Sequence, residues 1–355
     1  MRPRLILSPI VVNAIVCGVI GLTFGILTGN LLLWLIGGVL IGAATGMLSE
    51  AVFNRLRSHA TLYRVRSVLL VLIEALLTIY VVVPIYAGYK TVHPDRLPLP
   101  VTPSDFGLAY QDVTLKTQDG LRLKGWYIPS RNGAAIIAVH GFNGNRSHVM
   151  LHAQTLAEHG YGVLAFDMRG HGESEGVFAA AWTSDLDVLA AVEHLQRQPD
   201  VQAGRIGALG LSSGAHALLN GAARSEAIRA LIADGAGASR VEDAINPMLP
   251  EIQGYWFMVP MVWFTDRMTE AWSGAQAAPP FREQVRRIAP RPILFIAAGQ
   301  ADYEISVARR YAASAGPTAQ VWALPEAHHV GGIVERPEEY RQRMLDFFDA
   351  NLTGK

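Results

Sequence analysis

Short, mostly apolar segments alternate with helix-like segments from residue 134 to the C-terminus, and this alternation limits the possible folds more than any other feature of the chain. The strand-like segments are 134–139, 162–166, 205–209, 229–233, 292–297 and 320–324. Strands without polar alternation are typical of a parallel sheet that helices cover on both faces. The sequence therefore predicts an α/β fold with a mostly parallel, doubly wound sheet.

Two further segments depart from this alternation. Residues 112–128 alternate polar and apolar side chains on either side of Asp119-Gly120, which predicts a β-hairpin. Residues 236–290 form a long insertion with two aromatic clusters within 255–264. We interpret this insertion as a cap over a pocket. Two alternatives stay open: a helical part of the core, and a segment that touches a bilayer surface, because Trp and Tyr favour that interface.

Long apolar segments occupy residues 1–90, and the mean hydropathy of the whole chain is +0.23. Each segment has the length of about 20 residues that a helix needs to cross ~30 Å of hydrocarbon. A signal peptide has a shorter apolar part and would not precede two further segments of this kind. The sequence predicts three transmembrane helices, at about 5–27, 31–53 and 67–88.

Arginines beside these segments predict their orientation. Arg2 and Arg4 precede the first segment, and the loop before the third segment contains Arg55, Arg57, Arg64 and Arg66. Because cytoplasmic loops carry the excess of positive charge, three crossings place everything after Gly88 outside the cytoplasm. We expect a multi-pass protein of the cell membrane, with a proline-rich, semi-rigid linker at 91–110 and an extracytoplasmic domain at 111–355.

Composition excludes several functional classes. The chain has 30 basic and 30 acidic residues and no basic cluster, so we expect no nucleic-acid partner. Cys17 is the only cysteine and lies in an apolar segment, which excludes an intrachain disulfide and makes a thiolate metal site a poor hypothesis. No metal or organic cofactor is expected.

The segment Gly210-Leu211-Ser212-Ser213-Gly214 has the pattern G-x-S-x-G between a predicted strand and a predicted helix. A sharp strand-to-helix turn holds the central side chain in an exposed, strained position, and the glycines leave room for the turn. Ser212 is therefore a candidate nucleophile. The pattern alone is weak evidence, because a serine hydroxyl needs a base and the base needs an orienting carboxylate.

Suitable partners follow two later strands. The strand at 292–297 leads into Gly299-Gln300-Ala301-Asp302, and the strand at 320–324 leads into Pro325-Glu326-Ala327-His328-His329. The chain order serine, acid, histidine is the one used when a catalytic triad lies on this type of sheet. Asp302 is the candidate acid, and Asp234, after the preceding strand, is the alternative.

From residue 111 onwards the chain resembles the α/β-hydrolase superfamily. The segment 166–174 is similar to the family's D-x-R-G-x-G-x-S motif, and 210–214 is similar to its nucleophile elbow. His140-Gly141-Phe142 looks like the family's H-G-x turn. The resemblance implies that the backbone N–H groups of Phe142 and Ser213 stabilise an oxyanion.

The same resemblance implies which histidine acts as the base. Residues 325–329 are similar to the family's P-G-A-G-H, in which the last position is the base, so His329 is favoured over His328. Asp167, Arg169 and His171 look like loop-bracing residues. The combination with a membrane anchor is similar to the Bem46-like and serine-aminopeptidase-like branches.

These features predict a membrane-anchored serine hydrolase with an α/β-hydrolase fold and a cap. It would cleave an ester, thioester or amide through an acyl-enzyme on Ser212, His329 and Asp302. The expected substrate is a small or lipid-like acyl compound, or a peptide. Two alternatives stay open: an acyltransferase that uses the same triad, and a catalytically idle membrane scaffold or receptor.

Overall fold

The computed structural model describes most of the chain after residue 74. The described residues are 75–179, 182–238, 240–245, 250–300 and 302–354, together with 10, 11, 13–15, 17, 18, 36–40, 42–47, 69, 72 and 73. The chain divides into two compact units, Met1–Pro84 and Ile85–Lys355. The second unit contains the whole sheet.

Helix α1, Ala75–Val92, has 18 residues and a mean hydropathy of 1.4. It includes a π-helical segment at Thr78–Val82. Within the described part of the chain, it is the one helix long and apolar enough to cross a membrane. The expected spans at 5–27 and 31–53, and the start of the span at 67–88, lie largely outside the described residues, so the three-span arrangement stays a prediction.

The strands form one sheet, which confirms the predicted α/β class. Their bounds are β1 (Gln111–Lys116), β2 (Arg122–Ile128), β3 (Ala135–Val139), β4 (Gly162–Phe166), β5 (Ile206–Leu211), β6 (Ile228–Asp234), β7 (Ile293–Ala298) and β8 (Ala319–Leu324). The order across the sheet is β1-β2-β4-β3-β5-β6-β7-β8. The predicted hairpin is the antiparallel pair β1 and β2, β2 runs antiparallel to β4, and the other neighbours are parallel.

Helices cover both faces of the sheet, as the apolar strands require. The remaining helices are α2 (Met150–Glu158), α3 (Asp185–Gln196), α4 (Ser213–Arg224), α5 (Val241–Ile245), α6 (Val259–Ser273), α7 (Phe281–Ile288), α8 (Asp302–Ala315), α9 (Gly332–Glu335) and α10 (Pro337–Phe348). Side chains of α3, α4, α7 and α8 form the core on one face, and those of α2 and α10 form the core on the other. Alternate residues of β3 point to the two cores, so the strand is buried on both sides.

The segment predicted as a linker at 91–110 packs against the sheet domain instead of acting as a spacer. Its first residues still belong to α1, which ends at Val92. Apolar side chains from Leu99 to Tyr110 pack on the core beside α2 and α10. The Asn145 side chain amide donates hydrogen bonds to the carbonyls of Leu97 and Pro98. The prolines keep this segment extended, but its apolar side chains attach it to the domain.

The insertion predicted as a cap at 236–290 does not lie wholly outside the core of the sheet domain. Helix α7 lies at its end, yet Phe281, Val285 and Ile288 are buried in the core with α4 and α8. Because these residues are spaced by four and three, they form one apolar helix face that packs on the sheet domain. The elements of the insertion that lie outside this core are α5, the 3₁₀ segment Pro250–Met258 and α6, and their role as a cap over a pocket stays a prediction.

Candidate active site

Ser212 lies in the sharp turn between β5 and α4, at the carboxyl edge of the sheet. Its φ of 52° and ψ of −116° fall in a region that non-glycine residues rarely adopt. A Cβ at Gly210 would stand 2.6 Å from the backbone nitrogen of Ala215, and one at Gly214 would overlap the carbonyls of Val139 and His140 at the end of β3. The two glycines therefore permit the close approach of α4 to the sheet that holds the strained turn.

His329 reaches Ser212 from the loop after β8. Its Nε2 lies 2.9 Å from the Ser212 Oγ, and its Nδ1 lies 2.6 Å from a carboxylate oxygen of Glu304. Because a carboxylate only accepts, Nδ1 carries the proton, and Nε2 is left to accept from the serine hydroxyl. The hydrogen bond that His329 donates to Glu304 and the negative charge of Glu304 raise the pKa of His329. The arrangement is a hydroxyl, an imidazole and a carboxylate in line.

The carboxylate beside His329 belongs to Glu304, where the sequence analysis expected Asp302. Glu304 is buried, and its second oxygen accepts a 2.7 Å hydrogen bond from the backbone N–H of Ala298, at the end of β7. Helix α8 begins at Asp302, so Glu304 lies in its first turn and its longer side chain reaches back to the strand end. The side chain of Asp302 lies outside the described part of the structure. The assignment of the acid is therefore corrected to Glu304.

The two neighbouring candidates have other partners. His328 is exposed, and its Nδ1 pairs with Glu335 at 2.8 Å. Asp234 is buried at the end of β6 and accepts a 2.7 Å hydrogen bond from the Tyr340 hydroxyl. Burial raises the pKa of Asp234 to about 7, and the charge of Glu304 adds to this effect. The histidine that bonds Ser212 is therefore His329 and not His328. The carboxylate that bonds this histidine belongs to Glu304 and not to Asp234.

The turn after β3 forms the wall beside Ser212. A Cβ at Gly141 would lie 3.3 Å from the Ser212 Cβ. The Gly141 carbonyl accepts from the His140 Nδ1 at 2.7 Å and from the Gly144 N–H at 3.1 Å. Because a trans peptide directs its C=O and N–H in opposite directions, these bonds also fix the direction of the Phe142 N–H. The Ser213 N–H begins α4 and has no acceptor within that helix.

His140 is a structural part of this turn. Its Nε2 accepts a 3.1 Å hydrogen bond from the Met168 N–H, so its proton is on Nδ1, where it holds the Gly141 carbonyl. Burial lowers the pKa of His140 to about 4, which keeps the ring neutral at pH 7. The loop that follows β4 is braced by buried ion pairs between Arg146 and Asp167 and between Arg169 and Asp187.

We expect His140→Phe to lower kcat by about 10²-fold with a smaller change in KM, because the Phe142 N–H loses its fixed direction. Steady-state hydrolysis of a p-nitrophenyl ester measures both constants. The matched control is His171→Phe: the His171 ring is also buried and packs against the rings of His140 and Phe142, but its Nδ1 bonds the Arg169 carbonyl and not the Gly141 carbonyl. Equal losses in the two variants would mean that general packing, not the Gly141 carbonyl, explains the effect.

The family model that matches this chain is that of the X-Pro dipeptidyl-peptidases (S15 family), over residues 77–325. The match covers well over half of the chain and includes all the strands, Ser212 and Glu304. The chain belongs to the S15 family. The match ends shortly before His329, which the geometry adds to the site.

The chain is also similar to individual proteins. The uncharacterized protein YfhR of Escherichia coli K12 is 30% identical over 249 residues, which cover 67% of this chain and 80% of YfhR. Esterase Pf2001 of Pyrococcus furiosus is 26% identical with a TM-score of 0.60, covering 74% of this chain and 99% of the esterase. Thiohydrolase aneE of Aspergillus aculeatus is 33% identical over 128 residues, 35% of this chain and 40% of aneE. The chain is a hydrolase of the α/β esterase and peptidase class with an α/β-hydrolase fold. The resemblance to the Bem46-like and serine-aminopeptidase-like branches stays a prediction.

Proposed function

We propose that this protein is a serine hydrolase that cleaves an acyl ester, thioester or amide through a covalent acyl-enzyme. The observation that carries the proposal is the line from the Ser212 Oγ through the His329 ring to Glu304, with distances of 2.9 Å and 2.6 Å. The strained backbone at Ser212 supports the same role, because strain of this kind concentrates at functional sites.

In the first half-reaction, the Ser212 Oγ attacks the substrate carbonyl while the His329 Nε2 takes its proton. The Phe142 and Ser213 N–H groups stabilise the resulting oxyanion, and each such donor contributes roughly 3–4 kcal/mol at the transition state. The tetrahedral intermediate then breaks its bond to the leaving group, which receives the proton from His329. An acyl ester on Ser212 is left behind.

In the second half-reaction, water replaces the leaving group. The His329 Nε2 removes a proton from the water as its oxygen attacks the acyl carbonyl, and the proton returns to Ser212 as the acid departs. Glu304 stabilises the imidazolium that forms in both halves and keeps the ring in one tautomer.

The proposal includes a membrane location. Helix α1 would span about 27 Å at 1.5 Å per residue, close to the ~30 Å hydrocarbon thickness. Its exposed side chains are apolar and include Leu76, Leu77, Ile79, Val82 and Ile85. With the arginines of the first 66 residues on the cytoplasmic side, the hydrolase domain would lie outside the cytoplasm.

Two substrate classes are candidates. Exposed Phe142 and Tyr303 near the site favour an apolar acyl group, whereas membership of the S15 family favours a peptide. We expect the purified full chain to hydrolyse p-nitrophenyl esters with a burst of p-nitrophenol equal to the enzyme concentration, as acyl-enzyme accumulation requires. X-Pro p-nitroanilides, assayed in parallel, test the peptide class.

Product analysis completes this experiment. The hydrolase proposal expects the free carboxylic acid as the product even when an alcohol acceptor is added in excess. An acyl-acceptor ester as the main product would instead indicate an acyltransferase. Absence of turnover on both the ester and the anilide series, with intact secondary structure by circular dichroism, would contradict the proposal.

A further inference from the structure

The cap exposes a group of large aromatic side chains to the surroundings. Trp256 is 67% exposed, and the other members of this group, which we name the aromatic surface, are Tyr255, Phe257, Trp263 and Trp272. Exposed aromatic residues at this density are unusual on a surface that faces only water, and such patches mark interaction sites. Trp and Tyr are the residues that favour the membrane–water interface.

Helix α1 ends directly against this cap. A Cβ at Gly88 would lie 2.7 Å from the Met268 Cβ on α6, so the two helices are in close contact. The ring of Tyr89 packs edge-on against Trp272, with centroids 5.5 Å apart. The end of the candidate membrane span therefore contacts the cap beside Trp272, one member of the aromatic surface.

The same helix end is linked through Phe178 to Phe142, in the turn after β3. The Val92 carbonyl accepts a 3.0 Å hydrogen bond from the Phe178 N–H, and Val92 is buried. The Phe178 ring lies 5.7 Å from the ring of Phe142, measured between centroids. On the cap side, the 3₁₀ segment Pro250–Met258 contacts α8, the helix that carries Glu304. The last turns of α1 are thus fixed to both the cap and the wall beside Ser212.

We propose that the aromatic surface rests on the bilayer that α1 spans, and that Ser212 receives its acyl substrate from that bilayer. This inference rests on the membrane location proposed above and specifies the substrate as a lipid-like acyl ester. If α1 crosses the hydrocarbon, its carboxyl end lies at the headgroup level, where amphipathic aromatic rings are most stable. Phe142 and Tyr303 are also exposed, so apolar side chains flank the site as well as the cap.

The test places an environment-sensitive fluorophore on single cysteines of the full chain in phosphatidylcholine vesicles. In a Cys17→Ala background, the dye is attached through Trp256→Cys or Trp263→Cys. The matched control is Ala203→Cys, an exposed position in the loop before β5, at the opposite edge of the sheet from Ser212. We expect a blue shift and quenching by nitroxide-labelled lipid at 256 and 263, and neither at 203.

A kinetic arm tests the substrate source. The double variant Trp256→Ser/Trp263→Ser is expected to hydrolyse a long-chain ester embedded in vesicles roughly tenfold more slowly, because interfacial binding scales with the apolar area inserted. Its hydrolysis of soluble p-nitrophenyl acetate is expected to be unchanged. Equal loss on both substrates would overturn the inference, because the tryptophans would then affect catalysis itself and not access to a substrate in the bilayer.

The remaining outcomes separate this inference from the proposed function. Vesicle-bound protein with the dyes at 256 and 263 in water would overturn the inference and leave the anchored hydrolase standing. A blue shift without nitroxide quenching would also overturn it, because another protein chain would then cover the surface. If alkaline washing removes the chain from vesicles, the anchor and the inference both fail, while ester hydrolysis in detergent still decides the enzyme proposal.

Discussion

Replacing Ser212 by alanine is expected to lower kcat for p-nitrophenyl ester hydrolysis by about a millionfold, to the level that the oxyanion donors and substrate binding alone provide. Alanine keeps the Cβ and therefore the strained turn, so the variant should fold as the parent does. The loss follows from removing the only hydroxyl within hydrogen-bond distance of the His329 Nε2 among the described residues.

Ser213→Ala is the matched control for this experiment. Ser213 is the next residue of the elbow, and within the described structure its hydroxyl has no hydrogen-bond partner. The substitution leaves the backbone N–H in place, so kcat should stay within about tenfold of the parent. Comparable losses in the two variants would contradict the assignment of Ser212 as the nucleophile.

Replacing Glu304 by glutamine is expected to lower kcat by about 10³- to 10⁴-fold, because the amide no longer stabilises the imidazolium and permits the wrong tautomer. Asp302→Asn is the matched control, two residues earlier, and should retain kcat within a few-fold. The opposite ranking would restore Asp302 as the acid and contradict the geometry at His329.

The pH dependence gives a second, independent measure of Glu304. The base must be neutral, so kcat/KM falls as the pH drops through the pKa of His329. Because Glu304 raises that pKa, its removal should move the acid limb of the profile to lower pH. A residual activity in Glu304→Gln with an unmoved acid limb would mean that Glu304 does not bond the imidazole in solution.

Much of the fold could be predicted because its signals are local. Strands such as β3 and β4 are apolar throughout, and such strands are typical of a parallel sheet that is buried on both faces. The turn at Ser212 could also be predicted, because Gly210 and Gly214 lie where a side chain would collide with neighbouring backbone. The histidine was identified by its position after a strand end together with the family resemblance.

The acid was not predictable in the same way. The sequence offers Asp302 and Glu304 in one stretch after β7, and both follow the strand end. Which of them turns toward His329 depends on where α8 begins and on the N–H of Ala298 that holds the Glu304 carboxylate. Both depend on the tertiary structure, so the local sequence does not determine which carboxylate is the acid. The available signal for Glu304 is that it is a carboxylate in the first turn of the helix that follows β7.

The position of α7 in the core was not predicted, for a related reason. The insertion was bounded by the strands on either side of it, although Phe281 and Val285 form a narrow apolar face on its last helix. The 3.6-residue period of that face was the available signal. The prolines of 91–110 similarly indicated an extended chain but carried no information on what its apolar side chains would contact.

The most direct test of the account is the site of covalent labelling by a fluorophosphonate, located by mass spectrometry of the digested full chain. An activated serine is the group that such a reagent phosphonylates. We predict a single adduct on Ser212, lost in Ser212→Ala and strongly slowed in Glu304→Gln. An adduct on any other residue, or unchanged labelling of Ser212→Ala, would contradict the proposal that Ser212, His329 and Glu304 form the catalytic centre.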